Sequence, residues 1–239
     1  MNVPAVTQLL RFQILSSTRS VASVFYTIVL PVMLFCVFGF MFGVDANYAV
    51  FFLPGMIGVM TTSDALFAVG PVMKEYFRQG IVREFRGYPL PIAWLFVTFI
   101  VTRLLFILVS ATLLATVSAL VFGYLPSAGT LALYAVAIVL GFASYGLIAL
   151  CISFVGIVDN RDQGLLSLYY FLGMFLSDAY FSLSQKGWIF DAIGYLFPLK
   201  VMLQLMRGDA AAIAPMLAWF VAALGCFTLL VRSMRALRA

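Results

Sequence analysis

Histidine is absent from this 239-residue chain, and only 10% of its residues are charged. Without an imidazole there is no His-ligated metal site, no His-based catalytic triad and no His proton relay. Cysteine is scarce. Cys36, Cys151 and Cys226 stand singly inside apolar runs without metal-ligand spacing, and they read as small packing residues. No GxxxxGK[ST], HExxH, CxxC or GxSxG pattern occurs. The chain is therefore not expected to hydrolyse ATP or to be an enzyme, and no catalytic residue, cofactor-binding residue or metal ligand is assigned to it. No segment joins basic charge, polarity and exposure as a nucleic-acid surface must. Arg11 and Arg19 precede the first apolar run, but no small-x-small site follows, so a cleaved leader is not expected.

What is present is apolar. Hydrophobic residues make up 64% of the chain and aromatics 16%, and the mean hydropathy is +1.12. Soluble domains hold about 45–50% apolar residues. Several runs approach the ~20 residues that cross a bilayer. The expected fold is an all-α integral membrane domain with six transmembrane helices, at 24–43, 49–73, 104–123, 129–155, 164–181 and 213–231. Residues 4–20 place Val6, Leu9, Leu10 and Ile14 on one side of a helix lying along the interface.

The charges cluster. Lys74, Glu75, Arg78, Arg83, Glu84 and Arg86 fall in one stretch, 74–91, expected to be the main patch offered to water. Phe77, Ile81 and Phe85 recur every fourth residue and form a stripe, Gly80 breaks the helix, and Pro89 and Pro91 end it. Arg103 is expected at headgroup level, at the mouth of a span beginning at Leu104, so that no basic residue is buried. Residues 182–211 mix Lys186, Asp191, Lys200 and Arg207 with Trp188, Phe190 and Phe197. They read as short helices dipping part-way into the membrane and packed on the bundle. Asp64, beside Thr61, Thr62 and Ser63, needs a protein or water neighbour, because a lipid-facing carboxylate is costly. Gly141, Ala143, Ser144 and Gly146 supply small residues for close helix contact, with a second copy among the candidates for them. Six crossings put both termini on one side. If that side is the cytoplasm, the basic residues outside are Lys186, Lys200 and Arg207 and the other eleven are inside, in line with the positive-inside rule.

Two runs carry a family resemblance. The first is Gly80-Ile81-Val82, Phe85-Arg86 and Pro89-Leu90 between the second and third spans. The second is Phe197-Pro198-Leu199 followed by Met206-Arg207-Gly208 before the last. In order and placement they resemble the type 2 ABC exporter permeases, particularly the subgroup that contains the daunorubicin-resistance permeases. The likeness extends over nearly the whole chain, which differs in having almost no loop after the first span. The resemblance implies a half-transporter in the cell's inner (plasma) membrane. It pairs with a second permease copy, identical or not, and with a separate cytoplasmic ATPase that holds ATP and Mg. It further implies that Glu75, Arg78, Gly80, Ile81, Val82, Phe85 and Arg86 meet the ATPase as a coupling helix. Thr61, Thr62, Ser63 and Asp64 would line the pathway, and Phe190, Phe197 and Pro198 would form an outward gate. An amphipathic, lipid-like or drug-like molecule or a glycan would be exported. Two other classes stay open on the residues alone: an ion-coupled carrier using Asp64, and a non-transporting membrane scaffold.

Overall fold

The second long helix and the fourth form the centre on which the other helices pack. The computed structural model describes residues 3–42, 46–81, 91, 93–155, 162–180 and 187–236, and among these every regular element is a helix. In chain order they are α1 (Val3–Arg19), α2 (Phe25–Phe42), α3 (Asn47–Arg78), α4 (Ala93–Phe122), α5 (Ala128–Val155), α6 (Asp162–Leu176), α7 (Trp188–Gly194), α8 (Pro198–Met206) and α9 (Ile213–Ala236). Among the described residues, five stretches are long and apolar enough to cross a membrane: α2, α3, α4, α5 and Ala210–Arg232, which includes most of α9. α6 has 15 residues. That is about 22 Å of helix, short of the ~30 Å hydrocarbon core. Among the described residues, length and composition thus identify five of the six expected crossings.

α4 corrects the expected third span. It is one unbroken helix from Ala93, not a crossing that starts at Leu104. Thr98 and Thr102 are buried in it, and each hydroxyl donates to a carbonyl one turn back, so the polar groups before Arg103 are satisfied within the helix.

Prolines shape the first two long helices. A five-residue π-helical stretch, Phe25–Val29, ends two residues before Pro31, and another, Ala65–Val69, ends two residues before Pro71. A proline cannot donate to the carbonyl four residues back, and its ring crowds that carbonyl. A wider π turn relieves the crowding. At Pro31 the orphaned carbonyl is that of Thr27, and Ser110 Oγ of α4 donates to it at 2.5 Å. The proline thus creates an acceptor that joins α2 to α4.

Close approach does the same between α3 and its neighbours. A Cβ on Gly55 would lie 2.2 Å from Ala179 O, and one on Gly70 would lie 2.6 Å from both Ala149 O and Ser153 Oγ. The small residues of α5 are likewise used inside the chain. Gly141, Ser144 and Gly146 are buried, the first against Met202 and the last beside Val69, so they are not left open to a second copy. α8 is buried along nearly its whole length and sits against α3 and α5. α1 packs on α4 through its Val6, Leu9, Leu10 and Ile14 side, all half-buried, and Gln13 Nε2 donates to Leu95 O at 3.3 Å.

Candidate functional site

Three polar clusters are strung along the bundle, and each joins segments distant in sequence. The first is where α3 ends. The last turns of α3 bury Met73 and Lys74 and expose Phe77, Arg78 and Gln79. Lys74 is therefore not part of a patch offered to water. Its Nζ lies 2.8 Å from Asp162 Oδ1, and both side chains are 5% exposed. Asp162 stands in the first turn of α6, where the helix dipole favours a carboxylate. On the other face, Arg78 and Glu75 are 3.7 Å apart and about half-exposed, and Gln79 donates to Glu75 Oε1 at 2.9 Å. Phe77 stays 45% exposed while its ring meets those of Phe96 and Phe154 at 6.2 and 5.3 Å.

Gly80 closes the helix. Its N–H donates to Phe77 O at 3.3 Å and its φ is +75°. This left-handed ending is one that glycine adopts without the Cβ penalty. Ile81 is half-buried. Val82, Phe85 and Arg86, the other expected contacts, lie outside the described residues.

The second cluster is part-way along α2, α3 and α4. Arg103 Nε donates to Asp64 Oδ2 at 2.9 Å and Nη2 donates to Asp64 Oδ1. Thr27 Oγ1 donates to Asp64 Oδ1 at 3.4 Å. Asp64 and Arg103 side chains are 5% and 13% exposed. The two-nitrogen contact matches guanidinium to carboxylate, the geometry that makes such a pair strong. Arg103 thus sits at the level of Asp64 inside the bundle, not at the mouth of a helix. Thr61 and Ser63 donate back to Ile57 O and Met60 O at 2.8 and 2.9 Å. The buried Thr62 hydroxyl lies beside that of Tyr145. Thr61, Thr62 and Asp64 are buried and Ser63 is half-buried.

The third cluster lies at the opposite end of the bundle from Lys74. Lys200 of α8, fully enclosed, reaches Asp191 Oδ1 at 2.5 Å and Asp178 Oδ2 at 3.4 Å, and donates to Asp191 O at 3.1 Å. Expecting no buried basic residue was therefore wrong at Lys74 and Lys200. α8 begins with Pro198, and the N–H of Leu199 donates to the buried hydroxyl of Tyr145 at 2.9 Å. Phe197 is buried with its ring 5.3 Å from that of Tyr169. Phe190 belongs to α7. α8 ends on Gly208, φ +98°, whose N–H donates to Leu205 O at 3.1 Å, while the N–H of Asp209 reaches back to Gln204 O at 3.1 Å. These two bonds form a complete left-handed helix stop, and they explain the Arg207-Gly208 pair. Glycine turns the chain and leaves Arg207 at the helix end, donating to Asp178 O at 2.7 Å, with its guanidinium 4.2 Å from the centre of the Phe51 ring.

Beside this cluster is an apolar cavity of about 400 Å³. Leu34, Phe38 and Phe42 of α2 and Tyr48, Phe51 and Phe52 of α3 form two walls, and Met174, Phe175 and Tyr180 at the end of α6 form the third. No grouping of three or more Cys, Asp or Glu that could hold a metal occurs among the described residues.

Sequence reasoning missed Arg103 as the partner of Asp64. The signal was available: two opposite charges inside the apolar runs on either side of a single loop. It also missed the partners of Lys74 and Lys200, whose carboxylates lie 88 residues away for Lys74 and 9 and 22 residues away for Lys200, and depend on the packing of α6 and α8. A family model described as ABC-2 type transporter matches residues 4–209. No curated protein matches the chain.

Proposed function

Because the chain belongs to the ABC-2 type transporter family, whose model spans α1 to α8, we propose that this multi-pass membrane subunit is one half of an ATP-driven exporter. Residues 74–91 are its contact with a separate ATPase. Two copies form the pathway, both termini lie in the cytoplasm, α6 completes a sixth crossing together with the turn that follows it, and α7 and α8 close the outer end. The ATPase holds ATP and Mg. The cargo is amphipathic, and Thr61 to Asp64 reach it only where the bundle opens.

The observation that carries this reading is the end of α3. One face is fixed to the bundle by the Lys74–Asp162 pair, and the opposite face presents Glu75, Phe77 and Arg78 before Gly80 turns the chain. An exposed aromatic edged by charges suits a groove on a partner, with the charges setting register. A push at this end would pass through Asp162 to α6. Asp64 is bonded to Arg103, which weighs against the isolated titratable carboxylate that an ion-coupled carrier would use.

The test is purification of tagged protein from its native membrane with identification of the chains that accompany it. An ATPase in fixed proportion, lost in Phe85→Asp or Arg86→Glu with the bundle still folded, is the expected result. A preparation free of ATPase overturns the proposal.

A further inference from the structure

The aromatic cavity and Arg207 belong to one site. We infer that the cavity holds the hydrocarbon chain of an anionic membrane lipid whose headgroup is met by Arg207. The inference requires only that the chain sits in a bilayer, and it does not depend on the transport cycle or the ATPase.

The shape argues for a chain running along the helices. Leu34, Phe38 and Phe42 are one stripe of α2, spaced by four residues, and extend about 12 Å along it. Leu34 and Phe38 are half-buried and Phe42 is 62% exposed, so the slot opens toward the end of α2, where headgroups begin. A volume near 400 Å³ lies within the ~300–1,000 Å³ of small-molecule sites. Its walls are rings and aliphatic chains, and one of its few hydroxyls, that of Tyr48, is already donated to Phe35 O at 3.2 Å. Such a wall offers little to a sugar or a peptide backbone.

The charge argues for an anionic head. Asp191 turns to Lys200, Asp178 is shared between Lys200 and Arg207, and Asp209 Oδ1 accepts from Ala211 N–H at 3.0 Å. Arg207 is the exposed charge resting on a ring of the cavity wall. Its bond to Asp178 O engages one nitrogen of a five-donor fork, and guanidinium is the group suited to phosphate oxygens.

The experiment reconstitutes the full chain in nanodiscs of zwitterionic lipid. These contain a small fraction of phospholipid with a photoreactive group midway along its acyl chain, phosphatidylglycerol in one series and phosphatidylcholine in the other. After illumination, the labelled peptides are mapped. Label should concentrate on the peptides carrying Phe38, Phe52 and Met174. The anionic probe should exceed the zwitterionic one by about five-fold, the scale of one arginine near a headgroup. Arg207→Gln should equalise the two probes without moving the labelled peptides. Met174→Trp, which fills the slot, should cut both labels while the unfolding temperature holds. If Met174→Trp does not fold, the Arg207→Gln comparison decides alone. Label spread evenly over the lipid-facing helices, equal labelling by both probes in the unaltered chain, or crosslinks from these peptides to a second copy would each overturn the assignment.

Discussion

The bundle buries a lysine at each end and compensates it differently. Lys74 lies 2.8 Å from Asp162, with both side chains 5% exposed. Lys200 faces two carboxylates, Asp178 and Asp191, and lies 5.0 Å from the centre of the Tyr195 ring. That trio sums to −1, and Arg207, bonded to Asp178 O, brings the sum to zero. One end is thus a clasp between α3 and α6. The other is a four-body knot that fixes α8, the turn after α6 and α7 together. A clasp has two states, closed or open. A knot tolerates loss of an outer member but not of its centre. This difference suits a moving end and a stationary end.

The largest effect should come from the centre of the knot. Lys200→Met leaves the buried Asp178 and the part-exposed Asp191 without their shared cation. Removing one partner of a buried ionic group costs about 3–5 kcal/mol, and the like charges left behind put this variant at the upper end. Thermal unfolding in detergent reads the loss. An unchanged midpoint would mean that the knot does not hold the outer end.

Next is Asp162→Asn, which removes the carboxylate from Lys74 but keeps a carbonyl acceptor. We expect about 3 kcal/mol. The paired change Lys74→Met with Asp162→Leu should recover most of it, because a buried ion pair replaced by apolar side chains is often neutral or better. If the clasp also carries motion, the double variant will be stable yet inactive in transport, which separates the clasp from the knot by function as well as by energy.

Asp191→Asn should cost less, about 1 kcal/mol. Asp178 remains 3.4 Å from Lys200, and the Asp191 side chain is 39% exposed. A loss as large as that of Asp162→Asn would show that the knot is really a second clasp, between Lys200 and Asp191 alone.

What could be read from the sequence follows from the range of the forces involved. The apolar runs, the Gly80 stop and the small residues facing other helices depend on local composition and period, so the all-helical membrane character was legible. The amphipathic side of α1 was legible for the same reason. Family membership was readable from two short runs, and Gly208 now gives one of them a physical reason as a helix stop. The partners of Lys74, Asp64 and Lys200 are tertiary. Hydropathy penalises each charge where it stands and favours moving it to water, and this is why Arg103 was expected at a helix mouth and Lys74 in an open patch. Counting opposite charges in adjacent apolar runs would have corrected Arg103. It would not have found Asp162, which lies next to a polar loop and is buried only because α6 packs on the end of α3.

The smallest stability effect belongs to the exposed face of the same turn that holds the clasp, which makes it the sharpest control on the comparison. Glu75 and Arg78 are 3.7 Å apart with side chains 46% and 53% exposed. An exposed pair of this kind contributes about 0–1 kcal/mol, and a helix pair at this spacing about 0.3–0.5. Glu75→Gln with Arg78→Gln should therefore shift unfolding by no more than about 0.5 kcal/mol, while Lys74, one residue away, remains clasped to Asp162. If 74–91 docks the ATPase, this nearly silent double change should still lower the amount of ATPase recovered with the tagged chain. The loss should grow with salt concentration in the unaltered protein, because exposed charges are screened beyond about 10 Å at 0.1 M. Full recovery of the ATPase by the double variant would limit the coupling contact to residues after Gly80. Loss of the ATPase together with a large fall in stability would mean that the two faces of the turn are not independent, and that the clasp and the contact are one structure.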